Sequence, residues 1–382
     1  MMTSDIAKRL SIIGVVVFLL AAGLPAQAAA DSDDAASISW DGNLRLATEG
    51  DEFLLEIRGR LQPRYEFEAN GDPFAPVHSS VYLRRARLDF QGHVMTEELT
   101  YRLMPEMGRI TTLRDGWFDY RFDDALRVRV GQFQIPFGWE RDSSSNRHQF
   151  MERSAANNEF QWPSGRDIGA QLHGTLGERF RYGIGGFSGQ GRNAARSNSA
   201  GNQFSGRLTA TVVGDYPSSE VLTEPVDGIN VAVGTGGYYA FANDVRDWEY
   251  RSGEPPQVRA DVLSATADAH LQWQRLSMHL SGYAQQVGSR TGAFASYRGL
   301  GATGQLGVLV VPERLFGALR LSDAAPWGYD DRRREQKATM GMQLFQRRHA
   351  AKLQVEAGHR RVDDGGEVTA SHLLQIQYQL LF

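Results

Sequence analysis

Arginine is the residue of this 382-residue chain whose type and spacing most clearly point to chemistry. Between positions 52 and 130, arginines recur two or four residues apart and are mostly flanked by apolar neighbours. The set comprises Arg58, Arg60, Arg64, Arg85, Arg87, Arg102, Arg127 and Arg129. A guanidinium group keeps its charge at physiological pH and can hold an oxyanion by two parallel hydrogen bonds. The pattern therefore predicts a ladder of weak binding sites for small anions such as phosphate.

Acidic residues are interleaved with these arginines and open a second interpretation. Glu56, Glu66, Asp89, Asp115 and Asp119 fall on the same polar positions of the pattern. Ion pairs between the two sets would cancel the field and brace the wall on which both lie. The sequence leaves the anion ladder and the structural ion pairs open as alternatives.

Alternation of polar and apolar residues with period two runs through most of the chain and predicts β-strands. It is clearest from Ser371 to Phe382, where apolar side chains share one face and glutamines the other. In a closed membrane barrel such a strand pairs with the first strand, and its apolar face meets lipid. Tyr378 and Phe382 are then expected to serve barrel closure and assembly. The last strand of an ordinary sandwich is the alternative.

The same alternation predicts sixteen strands between Glu52 and Phe382, joined by connections that are short and long in turn. This is the pattern of an all-β, antiparallel transmembrane barrel with short periplasmic turns and long extracellular loops. The apolar phase changes after Gly131, where we expect a bulge. Periodicity stops from Phe137 to Gly165, directly after the fifth strand, and a connection of this length is usually functional or disordered.

The N-terminal segment has the layout of a signal peptide. A short basic region precedes an apolar core from Ile12 to Leu24, and a small-residue cleavage site follows. A membrane anchor is the alternative, but a spanning helix needs about 20 apolar residues. We expect a signal peptide over residues 1–30, a short periplasmic lead-in over residues 31–51 and the porin-type barrel over residues 52–382.

Composition argues against several classes of protein. The formal net charge of −4 is too small to indicate a nucleic-acid partner. The absence of cysteine rules out disulfides, thiolate metal sites and cysteine nucleophiles. None of the 9 histidines lies in a serine-hydrolase or zinc-protease motif. We therefore expect no enzyme activity, no cofactor and no bound metal.

Several runs of residues resemble the phosphate-selective porin O and P family. They are LRRARLDFQG from Leu83, GQFQIPFGWE from Gly131, FMERS from Phe150 and PSGRDIGAQLHG from Pro163. The resemblance implies a 16-stranded trimeric porin whose loop after the fifth strand folds into the lumen and narrows it. The constriction would then be formed by charged residues of that loop, namely Arg141, Arg147, Glu152 and Arg153.

One departure from the family concerns lysine, which characterised members use for phosphate selection and which is missing between positions 137 and 165. We predict an outer-membrane channel for passive diffusion of small hydrophilic solutes that prefers anions, with phosphate or polyphosphate as candidates. A general or cation-tolerant porin and a structural or adhesin barrel with a blocked lumen are the alternatives. The expected partners are small anions, outer-membrane lipid and lipopolysaccharide, the barrel-assembly machinery and two further copies of the chain.

Overall fold

The computed structural model describes most of the chain between Ser37 and Phe382. The described residues are 37–40, 42–48, 50, 52–71, 78–108, 111–194, 202–244, 259–290, 296–326 and 333–382. The expected signal peptide and the first part of the lead-in lie outside the described residues, so both stay predictions. Within the described part, no helix has the length and apolar character needed to cross a membrane.

Strands make up nearly all of the regular structure. Their bounds are β1 Ser37–Trp40, β2 Leu44–Ala47, β3 Phe53–Asn70, β4 His78–Val94, β5 Thr96–Glu106, β6 Thr112–Arg121, β7 Arg127–Gln134, β8 Arg166–Leu176, β9 Phe180–Phe187, β10 Asn202–Val213, β11 Val226–Asp244, β12 Arg259–Gln274, β13 Leu276–Ser289, β14 Tyr297–Val311, β15 Leu315–Pro326, β16 Arg333–Arg347, β17 Ala351–Asp364 and β18 Val368–Leu381. Two short α-helices, α1 Trp139–Asp142 and α2 Ala155–Phe160, and the 3-10 turn Pro163–Gly165 lie between β7 and β8.

Strands β3 to β18 form a closed antiparallel barrel. Each pairs with the next along the chain, and β18 returns to β3 with Ser371 opposite Asn70 and Leu380 opposite Leu61. The short hairpin of β1 and β2 adds to the start of β3 through Leu44 and Ile57. The sixteen-stranded barrel predicted from the alternation is thereby confirmed for the described residues.

The barrel wall has an apolar outer face and a polar inner face. Large apolar side chains such as Leu319 and Met340 are each 60% exposed on the outside. Polar side chains at alternate positions are buried in the interior, among them the strand-β18 residues Gln375, Gln377 and Gln379. An outer apolar band is what a wall in contact with lipid requires.

The expected bulge at Gly131 is wrong. The register runs without a shift through Gly131, which faces Trp117 on β6 and Gly169 on β8. Phe133 and Ile135 stay on the inner face and are each 1% exposed, in an apolar cluster inside the barrel. The apparent change of phase arose because these two apolar side chains point inward and pack in the lumen.

Bulges occur instead at two prolines of the wall. Gln62 faces Arg85 and Pro63 faces Leu83, so Arg84 is the extra residue on β4. Likewise Met104 faces Asp115 while Pro105 faces Leu113. Proline cannot donate a ladder hydrogen bond, and a bulge relieves that defect.

The C-terminal residue is built into the closure of the barrel. The Phe382 backbone N–H donates to the Gly59 carbonyl at 3.1 Å, and the Gly59 N–H donates to the Phe382 carbonyl. A Cβ at position 59 would lie 2.3 Å from the Phe382 ring, so glycine is the residue that lets the ring cross β3. Phe382 thus packs on the first barrel strand beyond the end of β18.

Replacing Phe382 by Asp should lower the yield of folded barrel several-fold, because a charge would replace the ring that covers Gly59 at the seam. Conductance of the channels that do assemble should stay unchanged. Heat-dependent gel mobility of outer-membrane fractions and single-channel recording measure the two quantities. Phe382→Tyr, which keeps the ring, serves as control; normal barrel levels for Phe382→Asp would contradict the assembly role.

Candidate functional site

The loop between β7 and β8, residues 135–165, lies against one side of the barrel interior. The Phe160 carbonyl accepts hydrogen bonds from Tyr238 (3.2 Å) and Ser264 (3.0 Å), and the Ala156 N–H donates to the Ser322 hydroxyl at 3.0 Å. Aromatic side chains of the loop pack with wall residues in the same apolar cluster. Helix α2 therefore rests on the inner face of β11 to β15.

The middle of the loop reaches further round the wall. The Gln343 side-chain amide donates to the carbonyls of His148 and Gln149 at 2.9 and 2.8 Å. Lys352 donates to the Asn146 carbonyl at 2.9 Å, and the Met151 N–H donates to the Glu356 carboxylate. The loop thus covers the inner face from β11 to β17 and leaves the arginine-bearing strands opposite it.

Glu152 clamps the loop to those strands. Its carboxylate accepts from Arg64 at 2.8 Å, from Arg84 at 2.7 and 2.9 Å and from Arg85 at 3.4 Å. Arg85 and Arg84 beside it, together with Arg64, hold the pKa of this carboxyl far below its usual range against the opposing effect of burial. One partly buried loop carboxylate therefore compensates three wall guanidinium groups.

Most of the remaining predicted arginines are also paired with carboxylates. Asp119 accepts from Arg127 (3.0 Å) and Arg129 (2.7 Å), and Asp89 accepts from Arg102. Further pairs on the same wall are Arg58–Glu56, Arg87–Glu106, Arg114–Glu106 and Arg166–Asp115. The structural ion pairs left open by the sequence are therefore present on this wall.

Arg60 and two loop arginines are held differently. Arg60 donates to the hydroxyls of Ser145 and Ser144 at 3.0 and 3.5 Å. Arg153 donates to the Glu140 carbonyl at 2.5 Å, and Arg141 donates to the Gln161 side chain. None of the three contacts a carboxylate of the described residues within 4.0 Å. Burial lowers the pKa of Arg153 to about 10, so it remains charged at neutral pH.

Two arginine-rich cavities lie between the loop and the wall. The lower cavity, about 590 Å³, reaches Phe382 and is lined by Arg58, Arg60, Arg87, Arg102, Arg114, Arg147, Arg153 and Arg166, with Asp89 and Asp142 as its carboxylates. The upper cavity, about 480 Å³, reaches Thr112 and Ser164 and is lined by Arg84, Arg85, Arg87, Arg114, Arg141, Arg153 and Arg192, with Glu106 and Glu152. Arg87, Arg114 and Arg153 line both cavities, so the two cavities adjoin at these three side chains. The two cavities together are called the arginine route below.

The structure brings most of the sequence-predicted residues to this route. Arg58, Arg60, Arg87, Arg102, Arg147 and Arg153 line the lower cavity, and Arg85, Arg141 and Glu152 line the upper one. Arg127 and Arg129 line a separate cavity of about 610 Å³ beside His173. Arg64 is buried beneath Gln377 and Glu152. Tyr378 lies apart from the route, where its hydroxyl donates to Gln346 at 2.6 Å.

Sequence reasoning missed several charged residues of the route. Arg84 and Arg114 each stand next to a residue expected to point inward, and strict alternation assigned them to the lipid face. The two bulges turn both of them inward. Arg166 is the first residue of β8, and Arg192 lies in the connection after β9. The prolines within the alternating stretches, Pro63 and Pro105, were the sequence feature that could have indicated the two bulges.

A second inward segment, residues 214–225, was also missed. It connects β10 and β11 at the end of the barrel that carries the short turns, and its residues Glu220, Val221 and Leu222 are buried. The Gln149 N–H donates to Glu220 at 3.0 Å, and the Ser277 hydroxyl donates to the Glu220 carbonyl at 2.6 Å. The segment therefore contacts the loop from the end of the barrel that carries the short turns.

Glu152→Gln should make the loop less firmly held, since three guanidinium groups lose their shared countercharge. We expect more frequent closing events and more open-channel noise in single-channel recordings. Because the pKa of Glu152 is lower in the folded than in the unfolded state, the ion pairs of Glu152 stabilise the position of the loop at every pH above the usual carboxyl pKa of about 4.3 and somewhat below it. The wild-type loop should therefore still be held by these ion pairs at pH 4. Glu367→Gln, an equal charge change at an exposed turn, is the control; equal noise in both variants would refute the clamp.

Comparison with known proteins agrees with this architecture. The model of the family described as phosphate-selective porin O and P matches residues 55–221. Porin O of Pseudomonas aeruginosa is 29% identical over 183 residues, which are 44% of this chain and 41% of that protein. The match thus spans about two fifths of the length of this curated relative.

Several solved structures share the fold at low sequence identity. An anion-selective porin from Comamonas acidovorans superposes with a TM-score of 0.60 at 10% identity, covering 86% of this chain and 99% of that one. The trimer form of OmpT of Vibrio cholerae gives 0.55 at 12% identity over 86% and 99%, and OprB of Pseudomonas putida gives 0.56 at 12% identity over 86% and 97%. This chain is a β-barrel of the bacterial outer membrane, and its residues 55–221 are similar to the phosphate-selective porin O and P family.

Proposed function

We propose that the chain is a passive diffusion channel that prefers small anions. The observation that carries the proposal is the arginine route, whose two cavities adjoin at Arg87, Arg114 and Arg153. Guanidinium groups at a constriction attract anions and repel cations, and a low-dielectric wall focuses their field. The family description and the anion-selective porin from Comamonas acidovorans support the same preference.

The charges around the route favour anions despite the many ion pairs. In the lower cavity, arginines clearly outnumber the carboxylates Asp89 and Asp142. Charges within about 8 Å of one another act together at physiological salt. Arg60 and Arg153, which lack a carboxylate partner among the described residues, would supply most of the uncompensated field.

Phosphate is the substrate class that the donors fit best. Arg60 lies beside the hydroxyls of Ser144 and Ser145, and hydroxyl and guanidinium donors together suit a tetrahedral oxyanion. The loop offers arginine where characterised relatives use lysine, so binding would depend on planar, two-bonded contacts. We therefore propose phosphate passage with weaker selection than a lysine-bearing constriction gives.

We also propose that the channel functions as a homotrimer embedded in outer-membrane lipid and lipopolysaccharide after insertion by the barrel-assembly machinery. The trimer form of Vibrio cholerae OmpT, a barrel of the same fold, supports the trimer. Native mass spectrometry of the detergent-extracted protein should give three copies of the processed chain. A monomer in every mild detergent tested would refute the trimer and would leave the channel proposal unaffected.

Reversal potentials across a potassium chloride gradient test the anion preference. The wild type should favour chloride over potassium, and phosphate should reduce the chloride current. Replacing Arg58, Arg60, Arg85 and Arg87 together by Gln should lower the chloride-to-potassium permeability ratio by roughly a factor of two or more, because the lumen loses its positive excess. Arg60→Gln alone should account for a large part of that change.

Arg334→Gln is the matched control for these variants. Arg334 pairs with Asp323 at the exposed end of β16 and lines neither of the two cavities. Cation preference in the wild type would refute the anion channel. Anion preference without any effect of phosphate would keep the channel and remove phosphate as its substrate. A barrel that inserts but conducts no ions would favour a blocked structural barrel.

A further inference from the structure

A group of buried titratable side chains lies behind the loop, on the side away from the arginine route. His270 on β12 is the direct cross-strand partner of His279 on β13, with ring centroids 5.9 Å apart. Glu220 of the segment 214–225 places a carboxylate oxygen 3.9 Å from His279 Nδ1. The Trp139 ring of helix α1 meets His270 edge-on at 4.8 Å. All four side chains are at most 3% exposed.

These groups are unusual because many of their polar atoms have no hydrogen-bond partner. They are His270 Nδ1, His279 Nδ1, His279 Nε2, Glu220 Oε1 and Trp139 Nε1. Buried polar groups in native proteins are nearly always paired, and an unpaired one is costly. So many in one place argue for a role beyond packing, and imidazole and carboxylate groups are suited to proton uptake.

Glu220 is mechanically coupled to the loop that lines the route. Its second carboxylate oxygen accepts from the Gln149 N–H at 3.0 Å and from the Gln305 side chain at 2.8 Å. The Gln149 side chain donates in turn to the Glu220 carbonyl at 3.1 Å. Gln149 stands three residues before Glu152, the residue that clamps the loop to the arginine wall. A shift of Glu220 would therefore be transmitted to the lining of both cavities.

We propose that Glu220 is a positioning residue for the loop, and that proton uptake by its carboxylate couples the opening of the channel to pH. The proposal rests on the channel function proposed above and adds its regulation. In acid, the carboxyl becomes neutral, and its oxygen that accepts from Gln149 and Gln305 becomes a weaker acceptor, which loosens the hold of Glu220 on the loop.

Other charged and titratable groups pack around the cluster. Asp268 is paired with Arg207 at 2.7 Å. His148 is buried, which together with Arg153 and Arg85 keeps the pKa of its ring well below the usual range. Glu140 accepts from the Ser154 hydroxyl and N–H, and together with burial it raises the pKa of Glu220. Glu220 therefore becomes protonated at a higher pH than an ordinary glutamate.

Single-channel recording of the full-length trimer or barrel over a pH series tests this inference. Between about pH 7 and about pH 4.5, which lies just above the ordinary Glu pKa of about 4.3, the closed fraction should rise at least about threefold. Glu220→Gln keeps the size of the side chain but cannot ionise, so it resembles the protonated glutamate. This variant should show the raised closed fraction already at pH 7 and should lose most of the pH response, and His279→Gln should reduce that response.

The double variant His359→Gln and His372→Gln is the control, because it removes a cross-strand histidine pair on the exposed side of β17 and β18. It should keep the wild-type pH response. A pH response in Glu220→Gln equal to that of the wild type, or no response in the wild type, would overturn the inference. Heat-dependent gel mobility shows whether each variant is folded. Anion preference at pH 7 is measured on the same channels, so a failure of the channel proposal is distinguishable from a failure of the pH coupling.

Discussion

The constraint on which the structure depends is that no backbone N–H or C=O can remain unpaired in lipid. A sheet meets it only by closing on itself, and the closure here is the pairing of β18 with β3. This is why the chain carries its apolar face through to Phe382 and why glycine is required at position 59, where that ring crosses. Once the wall is closed, the lumen is the only place where irregular backbone can be buried, and the loop 135–165 and the segment 214–225 both lie there.

The inward loop has two chemically different sides, and the lumen is organised around that difference. Phe137, Phe160 and Trp162 face the wall from β11 to β15 in an apolar cluster. Glu152 and Arg153 face the arginine-bearing strands, where the cavities lie. Because one side of the loop is fixed by burial of apolar area, its charged side can be held against a wet route. The loop thus occupies part of the lumen and leaves the two cavities between its charged side and the wall.

The sequence predicted the wall well and the contents of the lumen poorly, for a physical reason. Period-two alternation is a local property, so strand count and most strand bounds could be read directly, including β8 from Arg166 to Leu176. Contacts such as Glu152 with Arg64 or Gln149 with Glu220 join segments remote in sequence, and no local pattern encodes them. Local irregularities also made the alternation misleading. Bulges opposite Pro63 and Pro105 turn Arg84 and Arg114 inward, against the period-two pattern. Phe133 and Ile135 are apolar residues that point inward, and the pattern therefore wrongly predicted a bulge at Gly131.

The two interpretations of the arginines apply to different members of the set. Arg102, Arg127 and Arg129 are bound to carboxylates and brace the wall, as ion pairs would. Among the residues that the structure describes, Arg60 donates to serine hydroxyls and to no carboxylate, so no ion pair there cancels its charge. Residue type cannot separate these cases, because the distinction depends on whether a carboxylate stands opposite in the closed barrel. Ion pairs with carboxylates reduce the repulsion between neighbouring guanidinium groups in the confined lumen. Because most arginines are paired in this way, a few that have no carboxylate partner among the described residues can be held beside the cavities.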